Sequence, residues 1–219
     1  MRTVIGFLVL AGVSALHTPA SAQRIAWEEP AYFSPRPMDD IGLYMSRISR
    51  RTGDATGLSG IWRQSGNLNL GIRFGAADMA NAGESVLVGA ELYGPLHSLT
   101  RGSPFDAAWI VGGGAVFGDN YTQFSMPIGF SLGARLGTGG VRLMPYVYPR
   151  IALDIVSVDT SGGDRTDTDG VVALDIGADL DLGERLIVRF AGSVLDRSAF
   201  GVGMAVRWPR PVSVSSRTR

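Results

Sequence analysis

The chain of 219 residues contains no cysteine. Disulfide frameworks, zinc ribbons, iron–sulfur clusters and thiol nucleophiles are thereby excluded. Lysine is missing as well: all 20 basic residues are arginine, and 20 Asp and Glu residues balance them to a formal net charge of zero. With no surplus of cations to displace counterions from phosphates, nucleic acid is not an expected partner. Arginine without lysine suits places where a planar, permanently charged fork pairs with carboxylates away from bulk water. Histidine is scarce, with two in the chain. Beyond residue 22 no apolar run approaches the roughly 20 residues that a membrane-spanning helix needs.

The one apolar run lies at the start. Arg2 supplies a positive n-region, Val4 to Leu16 is apolar over about 13 residues, and Ala20-Ser21-Ala22 has the small-x-small pattern of a secretory cleavage site. Residues 1–22 are therefore expected to be a signal peptide, with Gln23 as the mature N-terminus. Residue 23 is not cysteine, so no lipoprotein anchor is expected.

Period-two alternation runs from about Ile41 to Trp208, the mark of strands with two different faces. In Phe124 to Leu136, Phe124, Met126, Ile128, Phe130, Leu132, Ala134 and Leu136 share one face, while Ser125, Pro127, Gly129, Ser131, Gly133 and Arg135 share the other. The same split recurs in Leu68 to Gly75, Val172 to Leu182 and Phe200 to Trp208. It predicts about ten strands, at 41–51, 55–64, 67–76, 84–94, 105–118, 121–136, 140–157, 170–182, 185–195 and 198–208, with eight as the alternative count. Residues 23–40 then form a periplasmic N-terminal segment, 41–208 the β domain and 209–219 a C-terminal tail.

Strand length and polarity together choose the fold class. Soluble sandwiches average about five or six residues per strand, whereas a tilted strand crossing a bilayer needs about nine to eleven. Phe105 to Phe117, tilted by about 45°, rises roughly 28 Å, close to the apolar band of an outer-membrane barrel. Trp62, Phe74, Phe105, Trp109, Phe117, Tyr121, Phe124 and Trp208 are placed near strand ends as an aromatic girdle at the headgroup level. The opposite face holds Arg73, Glu91, Arg135, Arg142, Arg150, Asp154, Asp175, Asp179, Asp181, Arg189 and Arg207. Charge in hydrocarbon costs several kcal/mol, while charges of both signs inside a narrow lumen can pair, so the apolar face is the lipid face. The expected fold is all-β, a closed antiparallel up-and-down transmembrane barrel whose lumen is largely filled by Met144, Tyr146, Tyr148 and the Arg/Asp set. With the N-terminus periplasmic, Val158–Asp169 becomes the longest outer loop.

These features resemble the small bacterial outer-membrane β-barrel proteins, the superfamily that includes the OmpA-type barrel. The final strand, with Gly203 followed by Val206 and Trp208, resembles the C-terminal assembly signal of that class. The resemblance implies outer-membrane lipid as surroundings, the barrel-assembly machinery as a partner during biogenesis, a monomer, and location in the bacterial outer membrane. No peptidoglycan-binding domain is expected in the remaining length.

Three roles follow: a structural or loop-presenting barrel, which is the leading one, a narrow pore for small solutes, or a lipid-modifying enzyme dependent on His97. A general base must reach its nucleophile, and the adjacent Ser98 is no sign of that. Gly112-Gly113-Gly114-Ala115-Val116-Phe117 lacks the last glycine of a dinucleotide fingerprint. Asp167-Thr168-Asp169-Gly170 has Arg165 where a calcium loop needs its first acid. No catalytic residue, cofactor or metal is therefore expected.

Overall fold

The computed structural model describes residues 29–36, 39–49, 54–66, 69–79, 83–96, 103, 105–137, 140–160 and 163–207. Ten strands follow one another: β1 Asp40–Ile48, β2 Ala55–Gln64, β3 Leu70–Met79, β4 Gly83–Pro95, β5 Phe105–Gly118, β6 Tyr121–Ala134, β7 Val141–Thr160, β8 Gly163–Leu182, β9 Leu186–Leu195 and β10 Ala199–Arg207. Each pairs antiparallel with its sequence neighbours, and β1 closes on β10 from Asp40↔Arg207 to Ile48↔Ala199. The protein is a closed up-and-down barrel of ten strands, and the eight-strand alternative is set aside. Closure leaves no free edge around the circumference, which is what lets a sheet cross a bilayer.

Alternation gives each strand its two faces. Leu43, Met45, Val86, Val88, Phe124, Met126, Ile128 and Phe130 are exposed on the outside, while Ser46, Leu87, Glu91, Ser125 and Ser131 are buried inside. The outward face is the lipid face of an integral outer-membrane barrel. Prolines locally interrupt the ladders, because they have no N–H to donate. The β5–β6 register skips the pairs around Pro127, and the β6–β7 register skips those around Pro149.

The strand that starts at Asp40 and the one that ends at Arg207 meet at one end of the barrel, called the inner end below; the β7–β8 hairpin rises at the opposite end, called the outer end. The polar run Val158–Asp169 is not a loop. It continues β7 and β8 in register through Ser157↔Thr166 and Val158↔Arg165 to Thr160↔Gly163. Each of these strands has 20 residues, against nine in β1 and β10. Tilted by about 45°, 20 residues rise roughly 44 Å against an apolar band of about 25 Å, so the hairpin stands well clear of the membrane. Its residues lack an apolar face because no lipid meets them there.

Residues 29–36, part of the segment read as periplasmic, lie inside the barrel. Glu29, Ala31, Tyr32, Phe33 and Ser34 are buried inside the barrel, and Arg36 reaches the inner mouth. From Glu29 to Arg36 the chain is a strap running down the bore before it turns into β1. A segment without regular structure can be buried there because the barrel wall supplies partners for its backbone.

Two aromatic assignments change. Tyr121 is 6% exposed and packs inward with Ile48, Ala55, Ala77, Leu87, Val116 and Ala199. Its odd number puts it on the face of Gln123 and Ser125, so alternation overrides its position at a strand end. Phe74 faces outward, but β3 spans Leu70–Met79 instead of 67–76, which moves Phe74 to mid-strand, where its ring lies over Gly60. Phe105, Trp109, Phe117 and Phe124 are exposed on the outside, and Trp62 is half-buried there. Trp208 lies outside the described residues.

The face assignment predicts unequal substitutions. Ile128→Arg, on the lipid face, should lower unfolding stability in lipid vesicles by about 2–4 kcal/mol. Ser131→Ala, which removes one inward hydrogen bond to the Phe33 carbonyl, should cost only about 1 kcal/mol. Urea titration of the refolded protein compares the two, and equal losses would contradict the assignment.

Candidate functional site: the filled lumen

Buried charge dictates the interior. Inside a narrow, dry bore each arginine must find carboxylates or carbonyls, because leaving an ion unpaired there costs several kcal/mol. Arg63 Nε lies 2.7 Å from Glu91 Oε1, Arg150 Nη2 3.1 Å from Asp175 Oδ1, and Arg197 Nη2 2.9 Å from Asp154 Oδ2. Arg189 bridges two strands, with Nη2 2.6 Å from Asp40 Oδ2 and Nε 3.2 Å from Asp179 Oδ2. Its remaining Nη1 donates to Tyr44 Oη at 2.6 Å. All these ion-pairing side chains are at most 3% exposed.

The same arginines hold the strap by its carbonyls. Arg63 donates to Tyr32 O at 2.9 Å and Ala31 O at 3.0 Å, Arg73 to Ala31 O at 3.0 Å, and Arg150 to Glu29 O at 3.1 Å. Three further contacts fix its direction. Asp175 Oδ2 accepts the Ala31 N–H at 2.8 Å, Ser131 donates to Phe33 O at 2.8 Å, and Ser46 donates to Glu29 Oε1 at 2.8 Å. The Glu29 carboxylate also faces Arg73, at 3.7 Å. A guanidinium suits this work because one rigid fork serves a carboxylate and a carbonyl together, which the single ammonium of a lysine does less well.

Aromatic packing fills what the ions leave. Tyr32 stacks on Tyr44 with centroids 4.4 Å apart, and Phe33 meets Tyr93 edge-on at 5.1 Å with the Arg63 guanidinium over its ring. The wall is cut back to admit them: a Cβ on Gly201 would collide with Tyr32 Oη, and one on Gly203 would collide with the Tyr44 ring. Toward the outer end Ile48, Leu87, Val116 and Tyr121 form an apolar layer across the inside. From outer to inner end the bore thus runs from apolar to ionic and aromatic, and then to an arginine-lined mouth.

Of the ionic residues read from sequence, Arg73, Glu91, Arg150, Asp154, Asp175, Asp179 and Arg189 are buried in the bore. Arg135, Arg142, Asp181 and Arg207 gather instead at the inner mouth. Arg142 Nε is 3.6 Å from Asp181 Oδ2, Arg207 also pairs with Asp181, and Arg135 is 3.8 Å from Asp106. Sequence reading missed Arg63, Arg197, Asp40 and Glu29. The period of two, extended to β2, puts Arg63 inward with Ile61 and so could have found it. Arg197 and Glu29 belong to no strand and carry no such signal. Of the assembly-signal residues, Gly203 faces Tyr44 and Val206 faces outward. His97 and Ser98 lie outside the described residues. Among the described residues no three acidic or imidazole groups converge as a metal site.

The two kinds of ion pair should respond differently to truncation. Arg150→Ala leaves Asp175 uncompensated and releases the Glu29 carbonyl, and should cost about 3–5 kcal/mol of unfolding stability. Arg47→Ala breaks the exposed pair with Asp54 at 2.6 Å and should leave the unfolding midpoint nearly unchanged. Chemical denaturation of both variants checks the contrast.

No family profile and no curated sequence matches this chain. Solved structures resemble it at low identity. A bacterial polysaccharide outer-membrane secretin is 13% identical with a TM-score of 0.40, the alignment covering 77% of this chain and 64% of that one. The chain thus spans less than two thirds of that protein. Neisserial surface protein A is also 13% identical, with a TM-score of 0.36 and coverage of 77% and 95%. The N-terminal β-barrel domain of Pseudomonas aeruginosa OprF is 12% identical, with a TM-score of 0.37 and coverage of 79% and 100%.

Proposed function

We propose that the protein is a closed, non-enzymatic outer-membrane barrel that presents its outer hairpin to a partner and conducts no solute. The observation that carries this reading is the strap. Its backbone is held across the bore by Arg63, Arg73 and Arg150, and its aromatic side chains pack between Tyr44, Tyr93 and Tyr148. A path for solutes would have to break several charge-assisted hydrogen bonds at once. The part of the molecule free to meet a partner is the far end of β7 and β8. There Asp164, Arg165, Thr166 and Thr168 are exposed, and the β8–β9 ladder begins only at Ala173. Charged residues along that unpaired edge suit recognition and discourage edge-to-edge aggregation.

In the same reading the chain is exported by cleavage after Ala22 and inserted as a monomer by the barrel-assembly machinery, which reads β10 and the residues that follow it. A mature chain beginning at Gln23 in the outer-membrane fraction is the expected product.

Planar-bilayer recording tests closure. The unmodified protein should give no steady single-channel current, and removal of residues 29–36 should produce one. Steady, large currents from the unmodified protein would overturn the reading in favour of a narrow pore.

A further inference from the structure

The inner mouth has a feature that closure does not need. A cavity of about 250 Å³ opens there, lined by Arg36, Arg135, Arg142, Met144, Asp181 and Arg207 among others. Four arginines thus share a wall whose one carboxylate is Asp181. That carboxylate is already divided between Arg142 and Arg207. Arg36 forms no ion pair among the described residues, and Arg135 reaches Asp106 only at 3.8 Å, with both side chains about 40% exposed. Arg142 Nε is buried and makes no hydrogen bond, since Asp181 Oδ2 stays 3.6 Å away.

In the bore carboxylates match the arginines, Arg63 with Glu91, Arg73 with Glu29, Arg150 with Asp175, Arg197 with Asp154 and Arg189 with Asp40 and Asp179, so the excess of arginine over carboxylate is local to the mouth. A buried guanidinium N–H without an acceptor costs free energy that an incoming anion would recover. Forks converging from the residue after β6, from β7 and β10 and from the strap suit a tetrahedral oxyanion, which can take several N–H donors at once. The volume admits a phosphate that carries a small esterified group.

We infer that the inner mouth is a binding site for a phosphate-type oxyanion, with Arg36, Arg135, Arg142 and Arg207 as donors and Met144 as its apolar floor. Two sources share this chemistry: the headgroup of an anionic phospholipid and a soluble phosphate ester. Exposed Leu136, Leu143 and Val206 bring the lipid face up to the rim, within reach of headgroups.

The test uses the full mature chain, refolded in maltoside micelles, which contain no phosphate. Inorganic phosphate is titrated at constant ionic strength set with sodium chloride, and thermal unfolding is the readout. A saturable rise of the midpoint is expected, because a ligand bound only by the folded state stabilises it. Arg36→Gln and Arg142→Gln should each weaken the apparent affinity by about tenfold. Arg47→Gln, at the opposite end, should titrate as the unmodified chain does. Arg36 is exposed and outside the strands, so its variant folds and keeps the test decisive.

Repeating the titration in phosphatidylglycerol nanodiscs separates the sources. A tenfold loss of phosphate affinity there assigns the site to lipid headgroups, and an unchanged affinity assigns it to a soluble ester. No saturable shift beyond that of chloride, or Arg36→Gln and Arg142→Gln titrating like the unmodified chain, would overturn the inference.

Discussion

The structure depends on one constraint: guanidinium groups turned into a narrow barrel must be satisfied there, because water cannot do it. Carboxylates on the wall satisfy only part of each fork. Arg63 and Arg150 each pair with one acid and also donate to strap carbonyls, Arg63 to Ala31 and Tyr32 and Arg150 to Glu29. The strap is therefore part of the electrostatic closure of the barrel as well as a filler of its space. The reverse dependence holds too, since a backbone segment without regular structure needs donors for its carbonyls when buried. Desolvation offsets much of the attraction in each pair, so the network contributes more to fixing one arrangement than to raw stability.

Arginine is the residue that makes this arrangement economical. A planar fork can face a carboxylate with one edge and a carbonyl with another without changing rotamer, as Arg63 does between Glu91 and Ala31. Glycine complements it. Gly201 and Gly203 on β10 leave the space that the Tyr32 and Tyr44 rings occupy, so the wall strand is shaped for the strap as well as for closure against β1.

The barrel was legible in the sequence because its signal is local. A period of two, sustained over segments long enough to cross a bilayer, needs no knowledge of partners, and it located the ten strands and the sign of both faces in β3, β6, β8 and β10. Legibility ended where lipid ends. Beyond the membrane β7 and β8 keep their ladder but lose the apolar face, so Val158–Asp169 reads as a loop and is a hairpin. Tyr121 shows the reverse error, in which position at a strand end outweighed the alternation that turns it inward. The strap was illegible for another reason. Its contacts join residues far apart in sequence, as Arg150 with Glu29 or Ser131 with Phe33, and nothing within residues 29–36 marks them as lumenal. Arg73, Arg150 and Arg189 were legible, but Arg63 and Arg197 were not, nor were the strap carbonyls that Arg63, Arg73 and Arg150 bind.

The claim that the strap is a fixed part of the folded barrel can be tested on the chain's own lack of cysteine. Ala31 is 4% exposed in the middle of the strap, and Ala31→Cys introduces a single thiol of similar size. With the refolded protein in lipid vesicles, a bulky hydrophilic maleimide should leave this thiol unmodified until urea unfolds the barrel, while Asp164→Cys on the exposed hairpin reacts at once. Labelling of Ala31→Cys in the folded state at the rate of Asp164→Cys would contradict the account.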